Sequence, residues 1–309
     1  MSGKTADPEW PNWVQLPRDL TAAIFSKLGA IEVLTSVQYV CSSWLQICKD
    51  PSMWRTIDMR NFGDLFDIEF DLEKICRGAV DRSNGHLSSI NIEYFGNDEI
   101  LQYIADRSSH LTNLRLANCY SISDQGLIDS IAKFPLLEEL ELSYCSLSKE
   151  TLEAVGRSCP LLKSLKLNTT SDPLIECNDD ALAIAENMHE LRHLQIFGNK
   201  LTNSGLEAIL NGCPHLRSLD LRHCFNIDLA GNLKKRCLEK IQDLRCPKDS
   251  TSDYEFDATL HDGYGFGSDR DDDSIGMYDI EFMSDEDDDN EFSDPHFDEY
   301  DHDYGDDCW

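Results

Sequence analysis

Six copies of one apolar pattern limit this chain more than any other feature of it. Leu87-x-x-Ile90-x-Ile92, Leu111-x-x-Leu114-x-Leu116, Leu137-x-x-Leu140-x-Leu142, Leu162-x-x-Leu165-x-Leu167, Leu191-x-x-Leu194-x-Ile196 and Leu216-x-x-Leu219-x-Leu221 follow one another at spacings of 24, 26, 25, 29 and 25 residues. A unit this short cannot bury an apolar face alone, so a repeat of that period stacks, each copy covering its neighbour. The alternation within each copy fits a short strand. A helix start follows at a constant offset. Asn97, Ser123, Ser148, Asn178 and Thr202 each stand four residues before Leu101, Leu127, Leu152, Leu182 and Leu206, and small polar side chains there cap the first free amides of a helix. Phe134-Pro135, Cys159-Pro160 and Cys213-Pro214 close the outer helices, because proline lacks the donor and clashes with the preceding turn. The pattern predicts an α/β solenoid of parallel strands and outer helices over residues 59–249, with a rim loop over Ser171 to Asn178 taking up the long fourth spacing. Degenerate copies are expected at both ends, Trp54-x-x-Ile57-x-Met59 in front and one beginning at Leu238 with Ile241 behind.

Eight residues after each first apolar position stand Phe95, Cys119, Cys145, Thr170, Asn199 and Cys224. Four of the six are Asn or Cys, and on these residues the array resembles the cysteine-containing leucine-rich repeats of F-box proteins. Strand alternation turns the leucines inward and sends the residues between them to the concave face. The candidate target-binding residues are therefore Arg115, Glu139, Glu141, Lys166, His193, Gln195, Phe197, Asp220 and Arg222, with Ala117, Ser143 and Asn168 also expected to face outward. Phe197 is the one aromatic among them. It either anchors a partner, as aromatic hot spots do, or tucks under the rim loop.

In front of the array, residues 16–54 hold three short apolar-periodic segments. Leu20, Ile24 and Leu28 recur every four residues with Phe25 beside them; Val33, Leu34 and Val37 form a second face; Val40, Cys41, Trp44, Leu45 and Cys48 form a third. Three helices in so short a stretch cannot bury all that surface among themselves, so part of it faces another protein or caps the first repeat. The segment resembles the F-box: Leu16-Pro17, Leu20, Ile24-Phe25, Leu28, Val40-Cys41-x-x-Trp44 and a closing Trp54, with Asp19 where a glutamate is common. The resemblance covers residues 13–57 and is to plant-type F-box/leucine-rich-repeat proteins. It implies an F-box over 13–58 after an extension over 1–12, and it implies docking on a Skp-family adaptor, and through it a cullin, by Leu16, Pro17, Leu20, Ile24, Phe25, Leu28, Val40 and Trp44. The function it implies is a non-catalytic substrate receptor of a ubiquitin ligase, the repeats holding a protein target. A reading of another class is a non-ligase scaffold or acidic chaperone-like module that holds basic proteins.

The last 60 residues differ chemically from the rest. From Ser250 to Trp309 there are 23 acidic residues against Arg270 alone, a net of −22 within a whole-chain charge of −31. Such a segment buries too little apolar surface to offset the entropy of ordering and is expected to be disordered. Yet eleven aromatic residues, Tyr254 and Phe256 among them, are threaded through it. Charge is also segregated along the array, Lys163, Lys166, Arg192, Arg217 and Arg222 falling in its last copies. The tail is expected either to stay extended or to cover that basic half.

The remaining readings are exclusions. Asp269, Asp271 and Asp273 begin like a calcium loop, but Ser274 and Ile280 stand where glycine and the bidentate glutamate belong. No metal, cofactor or catalytic residue is expected. The charge of −31 argues against nucleic acid, and no run reaches 18 apolar residues. Twelve cysteines without paired short spacings, behind an N-terminus that has no signal-peptide pattern, read as reduced thiols of a nuclear or cytoplasmic protein.

Overall fold

The computed structural model describes residues 16–60, 70–169, 175–256 and 258. The extension 1–12, part of the rim loop and the tail from 259 onward lie outside them. Eight parallel strands succeed one another in chain order across one sheet: β1 (Thr56–Met59), β2 (Ser89–Glu93), β3 (Asn113–Ala117), β4 (Glu139–Ser143), β5 (Ser164–Asn168), β6 (His193–Gln195), β7 (Ser218–Asp220) and β8 (Asp243–Arg245). Among the described residues each crossover carries one helix: α4 (Leu72–Arg82), α5 (Asp98–Arg107), α6 (Asp124–Ile131), α7 (Lys149–Ser158), α8 (Asp179–Asn187), α9 (Asn203–Gly212) and α10 (Gly231–Lys240). Parallel strands need such crossovers, and their common handedness keeps the helices on one side, leaving the other face of the sheet open.

The pairing register turns the sequence repeat into a ladder. Ile57, Ile90, Leu114, Leu140, Leu165, Leu194, Leu219 and Leu244 lie opposite one another from strand to strand, and the first seven are 2% exposed or less. The leading copy is present as expected, with Trp54, Ile57 and Met59 all buried. The trailing copy begins three residues later than expected. Leu219 pairs with Leu244, so the copy is Ile241-x-x-Leu244-x-Cys246, and Leu238 is a helix residue left 61% exposed.

Strand alternation also fails at one recurring place. Ala117, Ser143, Asn168, Phe197 and Arg222, expected to face outward, are all buried. The next residue explains it in most copies: Tyr94, Asn118, Tyr144, Gly198 and His223 each take positive φ, between 52° and 69°. A left-handed residue there folds the chain over the sheet end, so the position before it is enclosed.

The five expected caps are the N-cap residues of α5 to α9. Asn97 and Ser123 accept the amides of Ile100 and Gly126. In addition the helix starts bond sideways: Asp98 accepts the Ser123 amide at 2.8 Å, Asp124 that of Ser148 at 2.8 Å, and Asn178 that of Thr202 at 2.9 Å. The cap residues thus join neighbouring repeats as well as ending helices.

The N-terminal module is three short helices, α1 (Arg18–Phe25), α2 (Ala30–Thr35) and α3 (Ser42–Cys48). Its inner side, with Phe25, Val33, Leu34, Val37 and Ile47, is continuous with the core of the array. The joint is polar as well. Trp54 donates its indole N–H to the Cys48 carbonyl at 2.8 Å, and Arg82 of α4 reaches the Gln38 side chain at 2.7 Å while its guanidinium lies 5.5 Å from the Trp54 ring.

Candidate interaction surfaces

Two surfaces stand out, and each draws on residues singled out in the sequence. The first is the outer side of the helical module. Leu20, Ile24, Leu28 and Val40 are exposed by 56%, 40%, 47% and 60%, an unusual amount of exposed aliphatic surface for four residues in one small module. Pro17 is the N-cap of α1 and also exposed, and Leu16 is half-buried beside it. Phe25 is different: at 2% exposure it points into the module, its ring 4.9 Å from that of half-buried Trp44 in an edge-on contact. It supports the exposed row from beneath rather than joining it.

The second surface is the open face of the sheet. Register sets Asp58, Asn91, Arg115, Glu141, Lys166, Gln195, Asp220 and Arg245 side by side in one row. Arg115 is its hub, pairing with Glu141 at 2.9 Å and Glu93 at 3.1 Å and bonding Asn91 at 2.7 Å. Burial pulls the Arg115 guanidinium toward losing its proton, but Glu141, Glu255 and Glu93 outweigh it and hold the charge more firmly than usual. Lys166 reaches Glu141 at 3.1 Å, and Gln195 donates to Asn168 at 2.8 Å. Glu139 and His193 are exposed in the neighbouring row. Asp220 and Arg222 are both buried and form a fork, with contacts of 2.6 to 3.0 Å.

Phe197 is not free on this face. It is fully buried, and its cover is Tyr254, stacked on it with centroids 3.7 Å apart and planes 6° from parallel. His223 stacks on Phe197 at 4.6 Å, and the Tyr254 and Tyr144 hydroxyls share a hydrogen bond of 2.7 Å. Burial and that bond push the Tyr254 phenol well above its ordinary pKa. The first residues of the acidic tail are therefore a strap across the face. Asp253 pairs with Arg222 at 2.6 Å and Arg245 at 3.2 Å, and Glu255 pairs with Arg115 at 2.9 Å and lies 3.9 Å from Arg60. The Arg222 guanidinium lowers the Asp253 pKa. Phe256 meets the Tyr144 ring edge-on at 5.0 Å. The expectation of an unstructured segment from residue 250 thus fails for Ser250–Phe256, because each acid in it meets a fixed cation and each aromatic a fixed ring.

Tyr144, His223, Arg60 and Arg245 belong to this surface although the strand pattern does not point to them. Tyr144 and His223 occupy the left-handed position seven residues after each first apolar residue, a column legible in the repeat once its turn is known. Between the strap and the first strands lies a groove of about 340 Å³ lined by Arg60, Arg115, Glu139, Lys166 and Glu255, and a second of about 250 Å³ lies by His193, Asp220, Arg222 and Asp253.

A three-helix module with exposed aliphatic side chains, joined to a solenoid of leucine-rich repeats with a charged open face, defines the class of fold. A model of the F-box-like family matches residues 13–60, the repeats of an FBD-associated F-box protein match residues 86–175, and a leucine-rich-repeat model matches residues 187–210 and 212–231. The chain is 52% identical over 280 residues to the F-box protein SKIP19 of Arabidopsis thaliana, covering 91% of this chain and 88% of that one. It is 55% identical over 247 residues to F-box/LRR-repeat protein 23 of the same plant, where it spans 79% of this chain and only 55% of the relative's length. This chain belongs to the F-box/leucine-rich-repeat family. Among solved structures, a chain of the Rad7 and Elc1 complex in yeast aligns over 56% of this chain and 52% of that one at 18% identity and a TM-score of 0.41.

Proposed function

We propose that this chain is the substrate-receptor subunit of a Skp-cullin-F-box ubiquitin ligase, docking a Skp-family adaptor by its helical module and a protein target by the open face of its repeats. The observation that carries the reading is the exposed row Leu20, Ile24, Leu28 and Val40, left uncovered while Phe25 beneath it is buried. Clustered exposed aliphatic side chains of that kind mark an interaction surface. The chain forms and breaks no bond itself; held in the complex, it raises the concentration of a target lysine near the conjugating enzyme. The compartment that suits its reduced thiols is the nucleus or the cytoplasm.

Titration calorimetry against a Skp-family adaptor tests this. Leu20→Ala with Ile24→Ala removes two interface side chains and no core, and should cost about 2–5 kcal/mol, a fall of roughly 30-fold or more in affinity. Leu16→Ala with Pro17→Ala should act in the same direction. Full-strength binding by the first double mutant would remove the receptor reading and leave a scaffold that works without the ligase.

A further inference from the structure

Tyr254 lies on the Phe197 ring with His223 behind that ring, and the two acids flanking it reach cations on opposite sides, Asp253 to Arg222 and Arg245, Glu255 to Arg115. The receptor groups do not depend on the strap for their positions. Arg115 is held by Glu93, Glu141 and Asn91, and Arg222 by its fork with Asp220. The slot is therefore built into the solenoid, an aromatic platform between two fixed guanidinium groups. The acids of the strap, by contrast, are lightly attached. The Asp253 and Glu255 side chains remain 51% and 46% exposed, and ion pairs so open to water contribute little each.

We propose that this slot recognises an extended, tyrosine-centred acidic segment of a target protein, acid-Tyr-acid followed by an aromatic, and that Asp253–Phe256 is an internal occupant which such a segment displaces. The proposal rests on the reading of the open face as the target surface. The chemistry is selective: a planar ring is needed to stack at 3.7 Å, a hydroxyl to meet Tyr144, and a carboxylate on each side to meet the guanidinium groups. A basic segment would bring like charge to Arg115 and Arg222, and an aliphatic one would offer no acceptor to the guanidinium edges that now meet Glu255 and Asp253. The same tripeptide pattern recurs once more in this chain, at Glu299-Tyr300-Asp301.

The test is fluorescence anisotropy with a labelled peptide of the sequence Ser250–Phe256 against the full chain. In the wild type the tethered strap competes at an effective concentration in the millimolar range, so the peptide should bind weakly. Tyr254→Ala with Glu255→Ala removes the occupant but leaves the platform, and should tighten peptide binding by about tenfold or more. Asp253→Lys with Glu255→Lys, which changes only half-exposed groups, should unmask the slot likewise. Adding Arg115→Glu to either variant should abolish the gain, and a peptide carrying alanine for tyrosine should not bind. Equal affinity for wild type and both strap variants, or no binding to any of them, overturns the proposal. Adaptor binding measured on the same proteins keeps the two readings apart: adaptor bound without peptide sinks this one alone, and peptide bound without adaptor sinks the receptor role alone.

Discussion

Cys119, Cys145 and Cys224 each donate from Sγ to a carbonyl of the preceding repeat, those of Ile92, Leu116 and Ile196. Their places were legible in the sequence because one column of the repeat holds small polarisable side chains. Burial pushes the Cys119 and Cys224 thiols up to about 12 and Cys145 to about 11. In the unfolded chain they titrate near 8.5. The folded pKa is the higher one, so the stability they lend is complete below about pH 8.5 and drains away as pH rises from there toward 12. The urea midpoint should therefore fall between pH 8 and pH 10, and Cys119→Ala with Cys224→Ala should flatten that fall. Alkylation of the native chain at pH 8 should leave Cys119 and Cys224 unlabelled, since the thiolate is the reactive form; rapid labelling of both would mean the column does not face inward. Phe197 was not legible in the same way. Its neighbours in sequence say only that it ends a strand, and its cover comes from Tyr254, 57 positions on.

At the level of elements, the strands and helix starts could be read directly, since both depend on local pattern. Two features could not. The left-handed turn that follows β2, β3, β4, β6 and β7 is occupied by tyrosine, asparagine, histidine or glycine in different copies, so no residue type marks it or the enclosure of the position before it. The last copy was misread by three residues because Leu238 and Ile241 fit the apolar pattern as well as Ile241 and Leu244 do. The sideways bonds between helix starts also have a hidden requirement. Gly126 lies so close to the Asp98 carboxylate that an added Cβ would fall 2.0 Å from its Oδ1. Glycine to alanine within a helix is ordinarily stabilising by up to about 1 kcal/mol. Here Gly126→Ala should instead destabilise by about 1–3 kcal/mol in denaturant titration, because it displaces the acceptor of the Ser123 amide. Asp98→Ala should remove most of that extra cost when combined with it, and strict additivity of the two would contradict the contact.

For the whole molecule, composition foretold that the tail is a separate chemical object and that charge could draw it back to the array. It did not foretell where, because the docking depends on ring stacking and on guanidinium groups fixed by other repeats. The joint at the other end was half legible: Trp54 and Ile57 fit the repeat pattern, but Arg82, which fastens the module through Gln38 and the Trp54 ring, carries no motif. Arg82→Ala should lower amide-exchange protection in α2 and α3 by about tenfold to a hundredfold, through loss of a part-buried charged hydrogen bond of about 1.5–3 kcal/mol, while leaving β4 to β6 unaffected. Equal loss of protection along the whole array would mean that module and solenoid unfold as one unit.

β1 follows Trp54 after a single residue and is already a strand of the ladder, so the helical module and the sheet meet with no linker between them. That turns the sheet into a graduated ruler. With its zero mark at the helical module, each strand adds about 4.8 Å. A target gripped at β7 would stand about 20 Å further along it than one gripped at β3. In the receptor role proposed above, changing the strand that does the gripping would therefore change which lysine comes within range, with no change at the helical module.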